Sequence, residues 1–451
     1  DNAKRELLEN LAFLAYEEKL LAGSWRYLTY FGRDTLMSTR LLLGELKPKA
    51  VEAALGSVLE RLDRAGRVAH EEDLSDFATL RRARAGLPPG HVDNPILDYK
   101  MVDDDFMLAP VLASYLLDTG EGRARAQAFL ARKAPGGETY ADLLERNLVY
   151  VTRRAEPYAA SRSAKDLISL LDGEVTGQWR DSLEGLAGGR YPFDVNAVFV
   201  PAALEAAARI YSSELLAPGS GTGARAKAAL PAWLEAHRHF HVQIDEATAQ
   251  RNELRFAREL GLPAAASAGG AVSFPAIALD AAGQPLPVMH SDEGAALLYG
   301  RLSDAQVADI AARAVWTFPR GRMTDAGMLT ANAAHVDEPA LRATFGRANY
   351  HGAVVWSLQQ AQFLEGIARQ LSREDLRAET RLALQRAQEA IWDRVDAAGD
   401  WNAQELWSVR FDPAKGRVEP ITFGAKTGDA TESNLLQLWS SVYLSVKRPT
   451  R

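Results

Sequence analysis

Roughly a dozen segments of helical period follow one another along this chain with no low-complexity linker between them, and that succession restricts its fold more than any other feature. In residues 5–21 the period of about 3.6 residues brings Leu7, Leu8, Leu11, Leu14, Ala15 and Leu20 towards one face. The same spacing predicts helices over 35–46, 50–65, 104–117, 125–132, 139–161, 195–215, 224–260 with a break at Pro231, 292–299, 304–314, 350–371, 376–395 and 432–446. Strand signals are few. Residues 271–279 with 284–289, and 406–411 with 417–423, alternate around a turn and read as two hairpins. No repeat of ~20–50 residues is visible, which disfavours a regular solenoid. So many helices in one unbroken domain spanning 1–451 leave two architectures. One is a double ring of inner and outer helices, the (α/α)6 barrel. The other is a superhelical stack of helix pairs. The barrel leaves a funnel lined by loops at the inner helix ends, so the loops have to decide.

Composition excludes several functions. Apolar residues make up 47% of the chain, enough for a large core. A net charge of −7 argues against a general binder of nucleic acid or anionic membrane, which needs a basic face. No segment reaches the ~18 uninterrupted apolar residues of a membrane span. The absence of cysteine removes disulfides, thiolate metal sites and cysteine nucleophiles together. No metal or cofactor is predicted. The chain starts at Asp1 rather than Met, which predicts a removed leader or a trimmed N-terminus.

Aromatic and charged residues gather at the helix junctions. The first cluster runs from Trp25 through Arg26, Tyr27, Tyr30 and Phe31 to Gly32-Arg33-Asp34-Thr35. Asp34 precedes a periodic segment and reads equally as an N-cap. The aromatics and arginines beside it suit a sugar, whose C–H faces stack on rings and whose hydroxyls bond to charged forks. The second cluster is Val102-Asp103-Asp104-Asp105-Phe106, where Asp104 and Asp105 read as first-turn charge against the helix dipole. The third joins Trp179-Arg180-Asp181 to a Gly-rich bend with Arg190 and then Asn196-Ala197. Burial beside Trp raises the pKa of an acid and lets it keep a proton near neutral pH. The remaining clusters are Tyr350-His351-Gly352 through Trp356, Asp400-Trp401 through Glu405, and Thr431-Glu432 before Trp439-Ser440. Thr431 and Glu432 also read as a cap and a first-turn acid.

In this order the clusters resemble the six-hairpin glycoside hydrolases, especially the glucosidase part of glycogen-debranching enzymes and its glucoamylase, trehalase and processing α-glucosidase relatives. The likeness rests on Gly32-Arg33-Asp34-Thr35, Val102-Asp103, Trp179-Arg180-Asp181 with Asn196-Ala197, Tyr350 to Trp356, and Trp439-Ser440. It implies a mainly α (α/α)6 barrel with its site at the funnel mouth and a carbohydrate substrate. Asp181 then corresponds to the catalytic acid, and Arg33, Asp34 and Asp103 to residues that grip the innermost sugar. Trp25, Tyr27, Trp179 and Trp356 are expected as stacking walls and Arg190 as a further sugar contact. His351 bonds a hydroxyl or caps its helix. For the base the resemblance favours Glu405, with Glu432 second and Glu419, inside a predicted hairpin, last. Habits of such enzymes predict a periplasmic or secreted location.

Three departures accompany the likeness. The acid follows Trp-Arg where the family has Trp-Met, and a cation there lowers a carboxyl's pKa unless Arg180 points away. The family's N-terminal β-sandwich has no counterpart in these residues, and the loop carrying the base is longer. The family relationship implies inversion, with the two carboxyl groups ~6.5–9.5 Å apart around the attacking water. Separation near ~5 Å implies retention. The alternatives are a phosphorylase on the same barrel, with an anion site in place of the base; a glycan-binding protein without catalysis; a helical scaffold for protein partners; and a lyase using Tyr, His or Arg.

Overall fold

A computed structural model describes residues 2–24, 27–74, 76–84, 86–87, 95–217, 221–264, 269–424 and 436–449. Local cues set many of its helices. Thr139 and Asp142 form a reciprocal capping box at the start of Tyr140–Ser161, as Ser303 and Gln306 do for Asp304–Ala314. Asp245 caps Glu246–Leu260 through the Thr248 N–H.

Six segments make an inner ring: Gly32–Leu41, Val102–Ala113, Asp194–Phe199 continuing as Val200–Ser212, Glu293–Tyr299, Ser357–Leu371 and the short 3₁₀ turn Trp439–Leu444. Each packs on the next, and the last packs back on the first. Closure excludes the open superhelix. Outside the ring, Pro48–Leu59, Tyr140–Ser161, Thr222–Trp233, Ala378–Ala398 and Asn2–Leu14 pack on inner members, and Asp304–Ala314 packs on Ala378–Ala398. Val102–Ala113 packs between its ring neighbours and the outer helix Tyr140–Ser161, and every one of its residues is buried, Asp103, Asp104 and Asp105 included. Buried acids have to be paired or neutral. The site's electrostatics follow from that demand.

Several boundaries differ from the sequence reading. The first helix stops at Leu14, where the chain folds back through a bridge between Ala15 and Leu20. The long segment over 224–260 divides into Thr222–Trp233 and Glu246–Leu260, with the strand His241–Ile244 between them. Pro231 stays inside its helix, and the division falls after Trp233 because the Asp245 cap starts a second helix. The first expected hairpin is also redistributed. Val272–Pro275 pairs with His241–Ile244, Ala278–Leu279 pairs with Pro285–Leu286, and Met289–His290 pairs with Ala331–Asn332. Alternation marks a strand without naming its partner. The second hairpin forms as expected, Leu406–Asp412 with Arg417–Thr422, and gains Val355–Trp356 as a third strand. Of the expected helix over 432–446, residues 432–435 lie outside the described residues, and the rest contains only the short turn Trp439–Leu444. Two short helices, Asp76–Arg84 and Pro339–Ala343, were not predicted.

Among the described residues no helix is long and apolar enough to cross a membrane, and no group of His, Asp or Glu could hold a metal ion.

Candidate active site

Gly32 opens the first inner helix and lets it approach the neighbouring segment closely. Its N–H donates to the His70 carbonyl at 2.7 Å, and a Cβ there would stand 2.4 Å from the Ala69 carbonyl oxygen. Arg33 is thereby buried at the helix start. Its Nε donates to Asp103 Oδ2 at 2.8 Å, and its Nη1 donates to Asp181 Oδ2 at 3.0 Å. Asp104 Oδ1 stands 3.6 Å from the same Nε. Arg33 therefore spends its donors on protein acids, and Asp103 lies fully buried beneath it rather than on the cavity wall. Asp34 is the third residue of this helix, not its N-cap, and its half-buried side chain lines the cavity.

This crowding sets the local charges. Burial, opposed by Arg33, pushes Asp34 up to about 7, Asp104 to about 7 and Asp103 to about 6. Burial and Arg33 push His70 down to about 3, so its imidazole is neutral beside Asp104 Oδ2, 3.0 Å from Nδ1. Asp105 accepts the Val68 N–H at 2.8 Å and is also pushed well up by burial.

The loop bearing Asp181 is anchored on both sides. The Trp179 indole N–H donates to Asp292 Oδ1 at 2.9 Å. Arg180, fully buried, donates to Asp292 Oδ1 at 2.9 Å, to Ser291 Oγ at 3.2 Å and to the Thr330 carbonyl at 3.2 Å. Its charge thus points away from Asp181, over the Trp179 ring. On the other flank Ser182 Oγ pairs with His351 Nδ1 at 2.9 Å. The Asp181 side chain is 33% exposed, with His351 Nε2 4.0 Å from Oδ1. Asn196 is a structural clamp: it accepts the Ile168 N–H at 2.8 Å and donates to the Ile168 and Pro192 carbonyls at 2.9 and 2.8 Å.

Glu405 reaches the same cavity from a different element. Trp356 pairs with Leu406 at the edge of the three-stranded sheet. The Ser357 N–H and Oγ both donate to the Glu405 carbonyl, at 3.0 and 3.1 Å. Asp181 and Glu405 line one cavity of about 110 Å³ with Tyr27, Phe31, Arg33, Asp34, His70, Trp179, Tyr350, Trp356, Gln437 and Trp439. The wall is a run of edge-to-face rings. Trp356 meets Trp179 at 5.9 Å, Tyr350 at 4.7 Å and Trp439 at 5.6 Å between centroids.

The expected residues divide accordingly. Tyr27, Arg33, Asp34, Trp179, Asp181, Trp356 and Glu405 share the cavity. Trp25 and Glu432 lie outside the described residues. Arg190 turns elsewhere, donating to the Leu171 carbonyl at 3.0 Å and to Asp172 Oδ1 at 2.5 Å. His351 does not cap a helix, because the inner helix starts only at Ser357; its ring stacks on Trp356, 8° from parallel. Glu419 is engaged by Lys415 and Arg417 within the hairpin and is not on the cavity wall. Sequence reading gave no site role to His70 or Gln437, which line the cavity. His70 belongs to no local motif and reaches the site through the backbone bond to Gly32.

The closed inner ring with helices packed outside it is an (α/α)6 fold. The chain is structurally similar to the GH63 mannosylglycerate hydrolase of Thermus thermophilus over 98% of its own length and 99% of that chain. The TM-score is 0.54 at 12% identity for the complex of that enzyme with Tris, and 0.54 at 11% for its complex with glucose. For the complex with Tris and D-glycerate it is 0.52 at 14%. No family model matches the chain, and no curated protein matches its sequence.

Proposed function

We propose that the chain is an inverting glycoside hydrolase, with residues 1–451 as its catalytic domain, acting on an α-glucosidic oligo- or polysaccharide or a small glycoside. The observation that carries this reading is the meeting of Asp181 and Glu405, 224 residues apart in sequence (405 less 181), on one aromatic-walled cavity within the helix ring. Arg33 occupies Asp181 Oδ2 and leaves Oδ1 for the leaving oxygen. Asp181 gives its proton to that oxygen as the glycosidic bond breaks. Glu405 takes a proton from the water that attacks the anomeric carbon from the opposite face. Asp34 bonds sugar hydroxyls, and Trp179, Trp356 and Tyr27 pack on the ring's C–H faces.

Hydrolysis is favoured over phosphorolysis by charge. The only cationic side chain on the cavity wall among the described residues is Arg33, already paired, whereas Asp34, Asp181 and Glu405 all line it. Phosphate would meet three carboxyl groups. The similar fold of an enzyme named for mannosylglycerate, seen with glucose and with D-glycerate, adds mannosyl- and glucosylglycerate to the substrates worth testing.

The test assays wild type, Asp181→Asn and Glu405→Gln on α- and β-linked glucans, oligosaccharides and glycosylglycerates, with and without phosphate. Wild type is expected to release free sugar without phosphate, and each variant to lose on the order of 10²–10⁴-fold in kcat. Release of a sugar phosphate, or variants as active as wild type, would overturn the assignment.

A further inference from the structure

Arg180 is where this chain departs from the Trp-Met-Asp pattern, and the fold answers it with a carboxylate on another element. Asp292, 2% exposed, precedes the inner helix Glu293–Tyr299. Its Oδ1 accepts from both the Trp179 indole and Arg180 Nη2, each at 2.9 Å, and Arg180 Nε lies 3.4 Å from its Oδ2. The Asp292 N–H in turn donates to His290 Nδ1 at 3.2 Å. One buried carboxylate thus grips the two residues immediately before Asp181. The Arg180 guanidinium holds Asp292 ionised, well below the ordinary carboxylate range, although it is buried.

We infer that Asp292 is the positioning residue of the acid loop, holding Trp179 flat in the cavity wall and Arg180 turned away so that Asp181 faces the substrate. The inference rests on the reading of Asp181 as the acid. Without the Asp292 charge, the Arg180 guanidinium is buried and uncompensated. Two carboxyl groups then remain near it, the buried Asp194 and Asp181, which is next in sequence and already shared with Arg33; a turn towards Asp181 displaces the acid. Asp292 then acts through Arg180, and removing both charges should undo much of what removing one does.

The experiment compares Asp292→Asn, Arg180→Met and the double variant Arg180→Met/Asp292→Asn with wild type, using full-length protein at a temperature where circular dichroism shows all four folded. Asp292→Asn is expected to lose about 100-fold in kcat, the scale of a misplaced acid, with KM changed less than about threefold. The double variant should recover at least about tenfold of that loss, which a purely structural role for Asp292 would not produce. A double variant no better than Asp292→Asn, or a single variant with wild-type kcat, would overturn the proposal. A second readout does not need turnover. The Trp179 indole N–H resonance, assigned by its loss in Trp179→Phe, should move upfield in Asp292→Asn as its charged acceptor disappears. An inactive wild type would count against the glycosidase reading, and the positioning of Trp179 by Asp292 would then stand or fall on this resonance. No shift would overturn it.

Discussion

Arg33 carries one positive charge among Asp103, Asp104, Asp34 and Asp181, so the acids around it cannot all ionise cheaply. A second set, Asp194 and Asp292 near Arg180, repeats the arrangement. Asp194 is 1% exposed, and neither of its carboxyl oxygens has a hydrogen-bond partner among the described residues. Burial and the neighbouring Asp292 push its pKa well up. The folded state therefore keeps this proton longer than the unfolded chain. Stability from this residue is complete below the unfolded value of ~3.9 and is lost as pH rises towards the folded one. Asp194→Asn should accordingly raise Tm more at pH 8 than at pH 5 in thermal melts, and an equal change at both would contradict the account. At this scale the sequence shows which residue types cluster but not where they point. Asp34 reads as a cap from its position, yet Phe31 takes that place. The direction of Arg180 depends on Asp292, more than a hundred residues away, and no local pattern announces it.

The element that delivers Glu405 is the strand Leu406–Asp412, held by Trp356 on one side and by Arg417–Thr422 on the other. Trp407, completely buried, locks it by donating to the Ala326 carbonyl at 2.9 Å. Trp233 makes an equivalent bond to the Ala155 carbonyl at 2.9 Å, but in the outer ring. Replacing either by Ala should cost about 3–5 kcal/mol. Only Trp407→Ala should also lower kcat, by at least about tenfold, when both are assayed where each remains folded. Equal kcat in the two variants would show that this strand does not position the base. The hairpin itself was legible, because alternation and the turn at 412–417 are local. Its third strand was not, since Val355-Trp356 reads as part of a helix that starts only at Ser357. The strands around 272–290 were legible in part: Ala278–Leu279 pairs with Pro285–Leu286 as expected, whereas Val272–Pro275 and Met289–His290 have distant partners at His241–Ile244 and Ala331–Asn332.

At the scale of the whole molecule the ring closes through its shortest member, Trp439–Leu444, between Ser357–Leu371 and Gly32–Leu41. This turn also contributes Trp439 to the cavity. A chain ended after Gly424 should lose the cooperative melt of the full-length protein together with its activity, and an unchanged Tm would mean the ring does not need its sixth member. Most of the helices could be read from periodicity, but the barrel could be told from a stack only through the order of the junction motifs. The same fold recurs in the mannosylglycerate hydrolase at 11–14% identity. What such distant chains share is the fold, which does not by itself fix function.

The central claim is that Asp181 and Glu405 act on opposite faces of one anomeric centre. The most direct measurement follows the first minutes of hydrolysis of an α-linked substrate by proton NMR, before the released sugar mutarotates. The account predicts that the β-anomer appears first and the α-anomer only later, by mutarotation, with no release by Asp181→Asn. Initial release of the α-anomer would mean retention, with the carboxyl groups acting ~5 Å apart through a covalent intermediate, and would contradict the roles assigned to both residues.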